Sequence, residues 1–116
     1  MSDPGYILQR EGAVATLRLV RPEKHNLLKM AEVDGLIADL GVLDADETLR
    51  VIVLTGTGEK SFSAGVDLGD VLTHDWNDNP LERLADRIEG LNIVTVCALN
   101  GSVYGGATDL ALACDF

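Results

Sequence analysis

Two short loops built from small residues are the first candidates for chemistry in this sequence. Ser63–Asp67 follows one run of strand-forming residues, and Gly101–Ala107 follows another. Small residues let the backbone approach a ligand closely, and free N–H groups at a helix N-terminus favour negative charge. Two such N–H groups directed at one oxygen would form an oxyanion hole, which stabilises charge that develops in a transition state. Ordinary tight turns between strands and helices are the alternative interpretation of the same spacing.

Two nucleotide-binding motifs are nearly present after the first of these strands, but both fail. A phosphate-binding P-loop requires Gly before its Lys-Ser pair, and here Glu59 precedes Lys60, so that a carboxylate would repel phosphate. The dinucleotide-binding motif has Gly56 and Gly58 at its first two positions but Ser61 at its third. We therefore expect neither kind of nucleotide site.

The elements that would position the two loops follow the pattern of an α/β domain. Strands are predicted over Tyr6–Arg10 and Ala13–Val20, joined by a turn at Glu11-Gly12, and, as buried strands of a parallel sheet, over Val51–Leu54 and Val94–Leu99. Helical spacing predicts helices that contain Met30–Leu40, Leu81–Ile88 and Leu110–Ala113, and Gly56–Gly65 is expected to be a loop. Loops at the carboxyl ends of parallel strands lie on one edge of the sheet, so the two small-residue loops should meet there.

The composition limits the class of protein. With 116 residues, 47% of them apolar, the chain is one domain or a piece of one rather than a disordered segment. A formal net charge of −10 leaves no basic face, which argues against binding to nucleic acid or to an anionic membrane. No apolar run approaches the roughly 20 residues of a membrane span, and the first residues do not form a signal peptide. We expect a cytoplasmic protein.

The two cysteines and the last residues add two expectations. Cys97 and Cys114 each lie in an apolar stretch, and without a secretion signal they are expected to be buried free thiols rather than a disulfide. Leu110–Phe116 stays apolar to its end, whereas a complete domain usually ends in polar, poorly ordered residues. This pattern predicts a chain that stops inside a larger fold.

Three segments together resemble the crotonase superfamily, which includes the enoyl-CoA hydratases and isomerases. They are Arg21–Leu28, similar to the family's early CoA-contacting loop, Lys60–Leu68, which follows the strand-like Val51–Gly56, and Ala98–Phe116. The resemblance extends from about Tyr6 to the last residue. It implies an α/β fold, a truncated crotonase-like ββα spiral with parallel strands and intervening helices. Residues 1–116 would be the N-terminal part of a crotonase-like (ClpP/crotonase) domain, with the C-terminal part absent.

The resemblance also assigns roles to residues. Members of the family stabilise a thioester enolate with two backbone N–H groups, which by motif position would be those of Val66 and Gly106. A CoA-binding set is implied in the same way: Lys24, His25, Asn26, Ser63 and Ala64. Lys24 is a candidate contact for the CoA phosphates, and a solvated surface lysine is an equally good interpretation. Coenzyme A would enter as part of the substrate, and we expect no separate cofactor and no metal.

Asp109 is the candidate catalytic side chain. It lies three residues after Gly106, at a position where the hydratases of the family usually have Glu. A carboxylate in a partly buried site could act there as a general acid or base. The shorter Asp resembles the dienoyl-CoA isomerase branch and argues against plain hydration, which needs a second carboxylate that no motif before Phe116 supplies. The alternative is an Asp in a first helical turn that serves only the helix dipole.

Three functional hypotheses follow. The first is an acyl-CoA enzyme of the hydratase or isomerase type that acts by enolate stabilisation. The second is a catalytically incompetent crotonase-like fragment, which would be a CoA-binding or interaction module. The third is an unrelated α/β ligand-binding module, which would keep the loops without requiring Asp109. Members of the family commonly form trimers or hexamers, so a homo-oligomer is expected of a full-length form, while the isolated chain is expected to be weakly stable.

Overall fold

The computed structural model describes residues 5–65, 80–103 and 107–116, which form six strands and three α-helices. The strands are β1 (Tyr6–Glu11), β2 (Val14–Leu19), β3 (Val51–Gly56), β4 (Ser61–Ser63), β5 (Val94–Ala98) and β6 (Ser102–Val103). The helices are α1 (Met30–Asp44), α2 (Pro80–Glu89) and α3 (Ala107–Ala113), and a 3-10 turn covers Pro22–Lys24. All four long strands and all three helices predicted from the sequence are present.

The larger sheet has four strands in the order β1-β2-β3-β5. β1 and β2 are antiparallel and joined by the predicted turn, where Gly12 has a φ of 60° that glycine adopts without strain. The β2–β3 and β3–β5 pairs are parallel. Two parallel pairs with helical connections confirm the predicted α/β architecture.

The core lies where the helices cover one face of this sheet. Leu17, Leu19 and Ile52 of the sheet are 2% exposed or less. Buried side chains from all three helices pack against them: Val33, Leu36 and Leu40 of α1, Leu84 and Ile88 of α2, and Leu110 of α3. The spacing of three and four residues within α1 places its apolar side chains on this one face.

The prediction that β3 and β5 are buried on both faces is wrong. In β3, the buried Ile52 and Leu54 alternate with the half-buried Val51 and Val53, as in a sheet covered mainly on one side. In β5 only Thr95 is buried, and Val94 is 43% exposed. β5 is exposed because it is the last strand of the four-stranded sheet.

A second, smaller sheet lies within segments predicted to be loops. β4 pairs with β6 in parallel, with Ser61 opposite Ser102 and Ser63 opposite Val103. The expectation that Gly56–Gly65 is entirely a loop is therefore wrong at its end. Such short strands have too few residues for an alternating pattern to reveal them in the sequence.

Gly35 has a packing role that its place in a helix does not indicate. A Cβ atom there would lie 2.7 Å from the Tyr6 hydroxyl oxygen. The glycine thus leaves room for the Tyr6 hydroxyl to donate a hydrogen bond of 2.7 Å to Asp39 Oδ2. Burial and this hydrogen bond raise the pKa of Tyr6 to about 12.

Among the described residues, no helix is both long and apolar enough to cross a membrane.

Candidate functional site

The carboxyl ends of three neighbouring strands meet at one edge of the sheet. Leu19 of β2 is paired with Gly56 of β3, and Thr55 of β3 with Ala98 of β5. The segments that follow these strands therefore begin side by side. This confirms that the two predicted loops begin on one edge of the sheet, and the candidate site is built on this edge.

Asn26 anchors the loop that follows β2. Its side chain is fully buried, its Oδ1 accepts a hydrogen bond of 3.0 Å from the Arg21 N–H, and its Nδ2 donates to the carbonyls of Thr57 (3.0 Å) and Ser61 (2.9 Å). Both His25 (φ 55°) and Asn26 (φ 56°) have left-handed backbone conformations, which cost energy for residues other than glycine. The three buried hydrogen bonds of Asn26 offset that cost and fix the path of the loop.

Ser63 and Ala64 lie directly against this loop. The Ala64 N–H donates to the His25 carbonyl at 2.8 Å, and the Ser63 hydroxyl donates to the Asn26 carbonyl at 3.0 Å. The Ser63 Oγ in turn accepts from the Gly65 N–H at 3.0 Å. The structure therefore brings together the residues predicted to bind CoA, although they are more than 30 positions apart in the chain.

Burial divides these residues into two groups. Asn26 and Ser63 are fully buried, and their polar side-chain atoms are engaged by the protein itself. Lys24, His25 and Ala64 are exposed. Only the second group can present side chains to a ligand, whereas the first fixes the backbone beneath it.

Asn100, which is half-buried, forms a second anchor that the sequence did not reveal. Its Oδ1 accepts from the Gly56 N–H at 3.0 Å, and its Nδ2 donates to the carbonyls of Gly58 and Ser61, both at 2.9 Å. The Asn100-Gly101 pair signals only a turn in the sequence. Nothing in its type or spacing indicates that Asn26 and Asn100 would share the Ser61 carbonyl.

Two glycines allow these segments to approach closely. A Cβ at Gly56 would lie 2.5 Å from the Phe62 carbonyl oxygen and 2.9 Å from both asparagine side chains. A Cβ at Gly101 would lie 2.5 Å from the Lys60 carbonyl carbon. Backbone cannot move aside as a flexible side chain can, so both positions require glycine.

An ion pair between a buried arginine and a half-buried glutamate lies at the base of the same loop. Arg21 is 3% exposed, and its guanidinium donates to both carboxylate oxygens of Glu32, at 2.9 and 2.7 Å, and to the Leu27 carbonyl. Burial raises the pKa of Glu32, but hydrogen bonds from Arg21 and from the Lys29 N–H outweigh it, so the pKa lies below its ordinary value. This pair joins the loop to the start of α1.

The two small-residue loops are aligned by the β4–β6 pair. Ser63 and Val103 are opposite each other in that sheet, and the Ser102 N–H donates to the Lys60 carbonyl at 3.0 Å. The chain then continues from Ser63 to Val66 and from Val103 to Gly106, three residues in each case. Val66 and Gly106 themselves lie outside the described residues.

Asp109 lies in the first turn of α3 and is exposed. It faces an open cleft between α2 and α3, whose other lining residues are Glu82, Ala85, Asp86, Glu89, Leu112 and Ala113. The partly buried environment expected for a general acid or base is not formed by the described residues. Among these residues, no group of three or more His, Cys, Asp and Glu side chains is arranged to hold a metal ion.

Comparison with known proteins identifies what this geometry resembles. The family model described as enoyl-CoA hydratase/isomerase matches residues 9–116. A putative enoyl-CoA hydratase/isomerase from Bacillus subtilis is 35% identical over 99% of this chain and 46% of its own length. A short-chain-enoyl-CoA hydratase from Clostridium acetobutylicum is 30% identical over 94% of this chain and 44% of its own length.

Solved structures agree with the sequence comparison. The crystal structure of an enoyl-CoA hydratase from Bacillus anthracis superposes with a TM-score of 0.88 at 30% identity, covering 97% of this chain and 46% of that one. A structure from Geobacillus kaustophilus, also described as an enoyl-CoA hydratase, gives 0.82 at 34% identity. These neighbours confirm the predicted crotonase-like fold, and the chain spans about half the length of the relatives it matches.

Proposed function

Since the chain belongs to the enoyl-CoA hydratase/isomerase family, we propose that it carries the CoA-binding loops and the oxyanion hole of an enzyme that acts on acyl-CoA thioesters. The observation that carries the proposal is the parallel β4–β6 pair, in which Ser63 lies opposite Val103. From Ser63 and from Val103, the chain continues for three residues to the backbone N–H group that would bind the thioester oxygen.

The oxyanion hole would be formed by the N–H groups of Val66 and Gly106. When a proton leaves the carbon next to a thioester, or water adds to the far carbon of the conjugated double bond, negative charge develops on the carbonyl oxygen. Fixed N–H dipoles stabilise that enolate more than the ground state, and this difference accelerates the reaction. The side chains of the buried Asn26 and the half-buried Asn100 support the proposal, because they hold the segments that precede both donors in one arrangement.

The coenzyme would lie over the exposed part of the loop after β2. Lys24 and His25 are exposed beside Ala64, so a cationic side chain and an aromatic ring are available to phosphate and adenine groups. In a chain with a net charge of −10, a local lysine of this kind would favour the binding of an anionic ligand. Asn26 and Ser63 would act by holding the backbone.

Asp109 would be one proton carrier of the reaction. Its position three residues after Gly106 in the sequence would put it about one helical turn from a proposed donor. Its reach is shorter than that of the usual Glu, which favours isomerase-type proton transfer over hydration. A second carboxylate, the acyl specificity and a trimeric or hexameric assembly would belong to a full-length form.

Measurements of CoA binding and of turnover distinguish an acyl-CoA enzyme from a CoA-binding module. Coenzyme A and crotonyl-CoA are titrated into the protein by calorimetry, and loss of the enoyl absorbance is followed. Lys24→Gln should weaken binding roughly two- to fivefold, as for an exposed ion pair. Arg50→Gln is the matched control, because Arg50 is exposed at the opposite end of β3. Absence of CoA binding would rule out the assigned loops.

The role of Asp109 is tested by a second pair of variants. Asp109→Asn should lower the rate about 100-fold or more if Asp109 carries a proton, with binding unchanged. Asp86→Asn, in the same cleft and equally exposed, should leave the rate unchanged. CoA binding without turnover in the unmodified chain would favour the alternative, a CoA-binding module, for which the exposure of Asp109 is the supporting observation.

A further inference from the structure

A buried serine outside the predicted CoA-binding set contacts the histidine of that set. Ser61 in β4 is 3% exposed, and its Oγ lies 2.8 Å from Nδ1 of His25. The two residues are 36 positions apart and belong to different segments, the strand β4 and the loop after β2. The proposed contact of His25 with CoA does not by itself require this hydrogen bond, so its purpose is a separate question.

The burial of Ser61 decides which of the two groups donates. Within the part of the chain that the structure describes, His25 Nδ1 is the partner of the Ser61 hydroxyl. A buried hydroxyl hydrogen without an acceptor is costly, so the hydroxyl donates to Nδ1. In a neutral imidazole the other nitrogen then carries the hydrogen. Ser61 thus holds His25 in the tautomer whose N–H donor is Nε2.

This donor is on the ligand side of the loop. The two nitrogens of an imidazole point away from each other, and Nδ1 is engaged by a buried residue while His25 itself is exposed. Nε2 is therefore the nitrogen left for a ligand. The exposed Ala64 adjoins His25 on this surface, because its N–H donates to the His25 carbonyl at 2.8 Å.

The backbone of His25 is fixed as firmly as its ring. Its φ of 55° is left-handed, which costs energy for a residue other than glycine. Its N–H donates to the Pro22 carbonyl at 3.1 Å, and its carbonyl accepts from Ala64. Strained loop residues held in this way are typical of ligand sites. With the backbone and Nδ1 both held by the protein, Nε2 has a defined position before any ligand binds.

We propose that Ser61 is a positioning residue, which fixes the His25 ring so that its Nε2–H donates to an oxygen of the nucleotide part of coenzyme A. Phosphate and ribose oxygens accept hydrogen bonds, and a donor that is already in place loses less freedom on binding. The identity of the ligand rests on the proposed function, whereas the orientation of the ring by Ser61 does not.

Nitrogen NMR of the folded chain measures where the hydrogen lies. At alkaline pH, where the ring is neutral, the spectrum reports the tautomer, and His25→Asn assigns the signals of the two histidines. Asn is chosen because it tolerates a left-handed backbone. The unmodified protein should show Nε2–H as the main form. In Ser61→Ala, the ratio of Nε2–H to Nδ1–H should fall about two- to tenfold, as expected for the loss of one hydrogen bond.

Ser102→Ala is the matched control for the NMR measurement. Ser102 lies opposite Ser61 in the β4–β6 pair but is exposed, so its replacement should leave the tautomer ratio unchanged. Circular dichroism verifies that each variant is folded. Nδ1–H as the main form of the unmodified protein would overturn the proposal, and so would an unchanged ratio in folded Ser61→Ala.

A double-mutant cycle for CoA binding tests whether Ser61 acts through His25. By calorimetry, Ser61→Ala and His25→Asn should each weaken CoA binding about two- to tenfold, and the double variant should bind no more weakly than His25→Asn alone. Additive losses would show that Ser61 acts elsewhere and would overturn the proposal. If the unmodified chain binds no CoA, the proposed function fails, and the tautomer ratio still decides whether Ser61 orients the ring.

Discussion

The loop after β2 and the helix α3 carry the two parts of the candidate site, and they are held in different ways. The loop is fixed from below by Asn26, which is fully buried and makes three hydrogen bonds. Asp109 of α3 is exposed and faces an open cleft. The loop is thus organised by residues of its own neighbourhood, whereas Asp109 remains open to solvent among the residues that the structure describes.

Replacing Asn26 should have the largest effect on stability. A small effect would contradict the difference between the loop after β2 and α3. Asn26→Ala leaves the Arg21 N–H and the Thr57 carbonyl without their buried partner and keeps the backbone at a positive φ. We expect a loss of about 3 kcal/mol in the free energy of unfolding, measured by urea denaturation. Asn92→Ala, at an exposed asparagine, should cost less than about 0.5 kcal/mol.

The two anchors should be coupled through the carbonyl they share. Asn26 and Asn100 both donate to the Ser61 carbonyl at 2.9 Å, so either one alone keeps that oxygen hydrogen-bonded. In a double-mutant cycle with alanine, the two losses should differ from additivity by about 0.5 kcal/mol or more. Strict additivity would mean that the anchors act separately.

Gly101→Ala should have the next largest effect. Its new methyl group would meet the Lys60 carbonyl carbon at 2.5 Å, and we expect a loss of about 2 kcal/mol by the same denaturation measurement. Gly41→Ala in α1 is a matched change, since its methyl group would meet only the end of the flexible Arg87 side chain. It should be neutral or stabilise the helix by up to about 1 kcal/mol. Similar losses at the two positions would contradict the close approach of backbone at Gly101.

Tyr6→Phe should have a smaller effect that depends on pH. At neutral pH we expect a loss of about 1 kcal/mol, because the hydrogen bond to Asp39 disappears. The pKa of Tyr6 is raised to about 12 in the folded protein, so folding favours the neutral phenol. Its contribution is complete below the ordinary pKa of about 10 and is lost as the pH rises from there through 12. The gap between unmodified protein and variant should therefore narrow above about pH 10.

Asp109→Asn should have the smallest effect on stability. This variant tests most directly whether α3 differs from the loop after β2. Because Asp109 is exposed, we expect a change within about 0.5 kcal/mol in thermal or urea unfolding. A loss as large as that of Asn26→Ala would show that Asp109 supports the fold. The expected result would mean that the fold does not need Asp109 for its stability, as the proposed proton-transfer role requires.

The sequence predicts the layout of the fold well because its long elements carry strong patterns. The spacing within α1 and the apolar run of β3 are such patterns, and the shared strand edge follows from parallel pairing. The exposure of β5 could not be predicted, since an apolar strand looks the same whether or not another element covers it. The role of Asn100 could not be predicted either, because it depends on contacts with Gly56 and Ser61 that are distant in the chain.

The alternation of exposed and buried side chains in the loop after β2, and in Ser63 and Ala64 beside it, has a consequence for protein engineering. Asn26 and Ser63 hold the backbone from within, while Lys24, His25 and Ala64 project outward. A mutant library restricted to Lys24 and Ala64 can vary the surface offered to a ligand at little cost in stability, whereas His25 has a positive φ and its Nδ1 lies 2.8 Å from the Ser61 Oγ. Variants at Asn26 would instead lose the hydrogen bonds that fix the loop. The loop thus separates the residues that selection can vary from those it must keep.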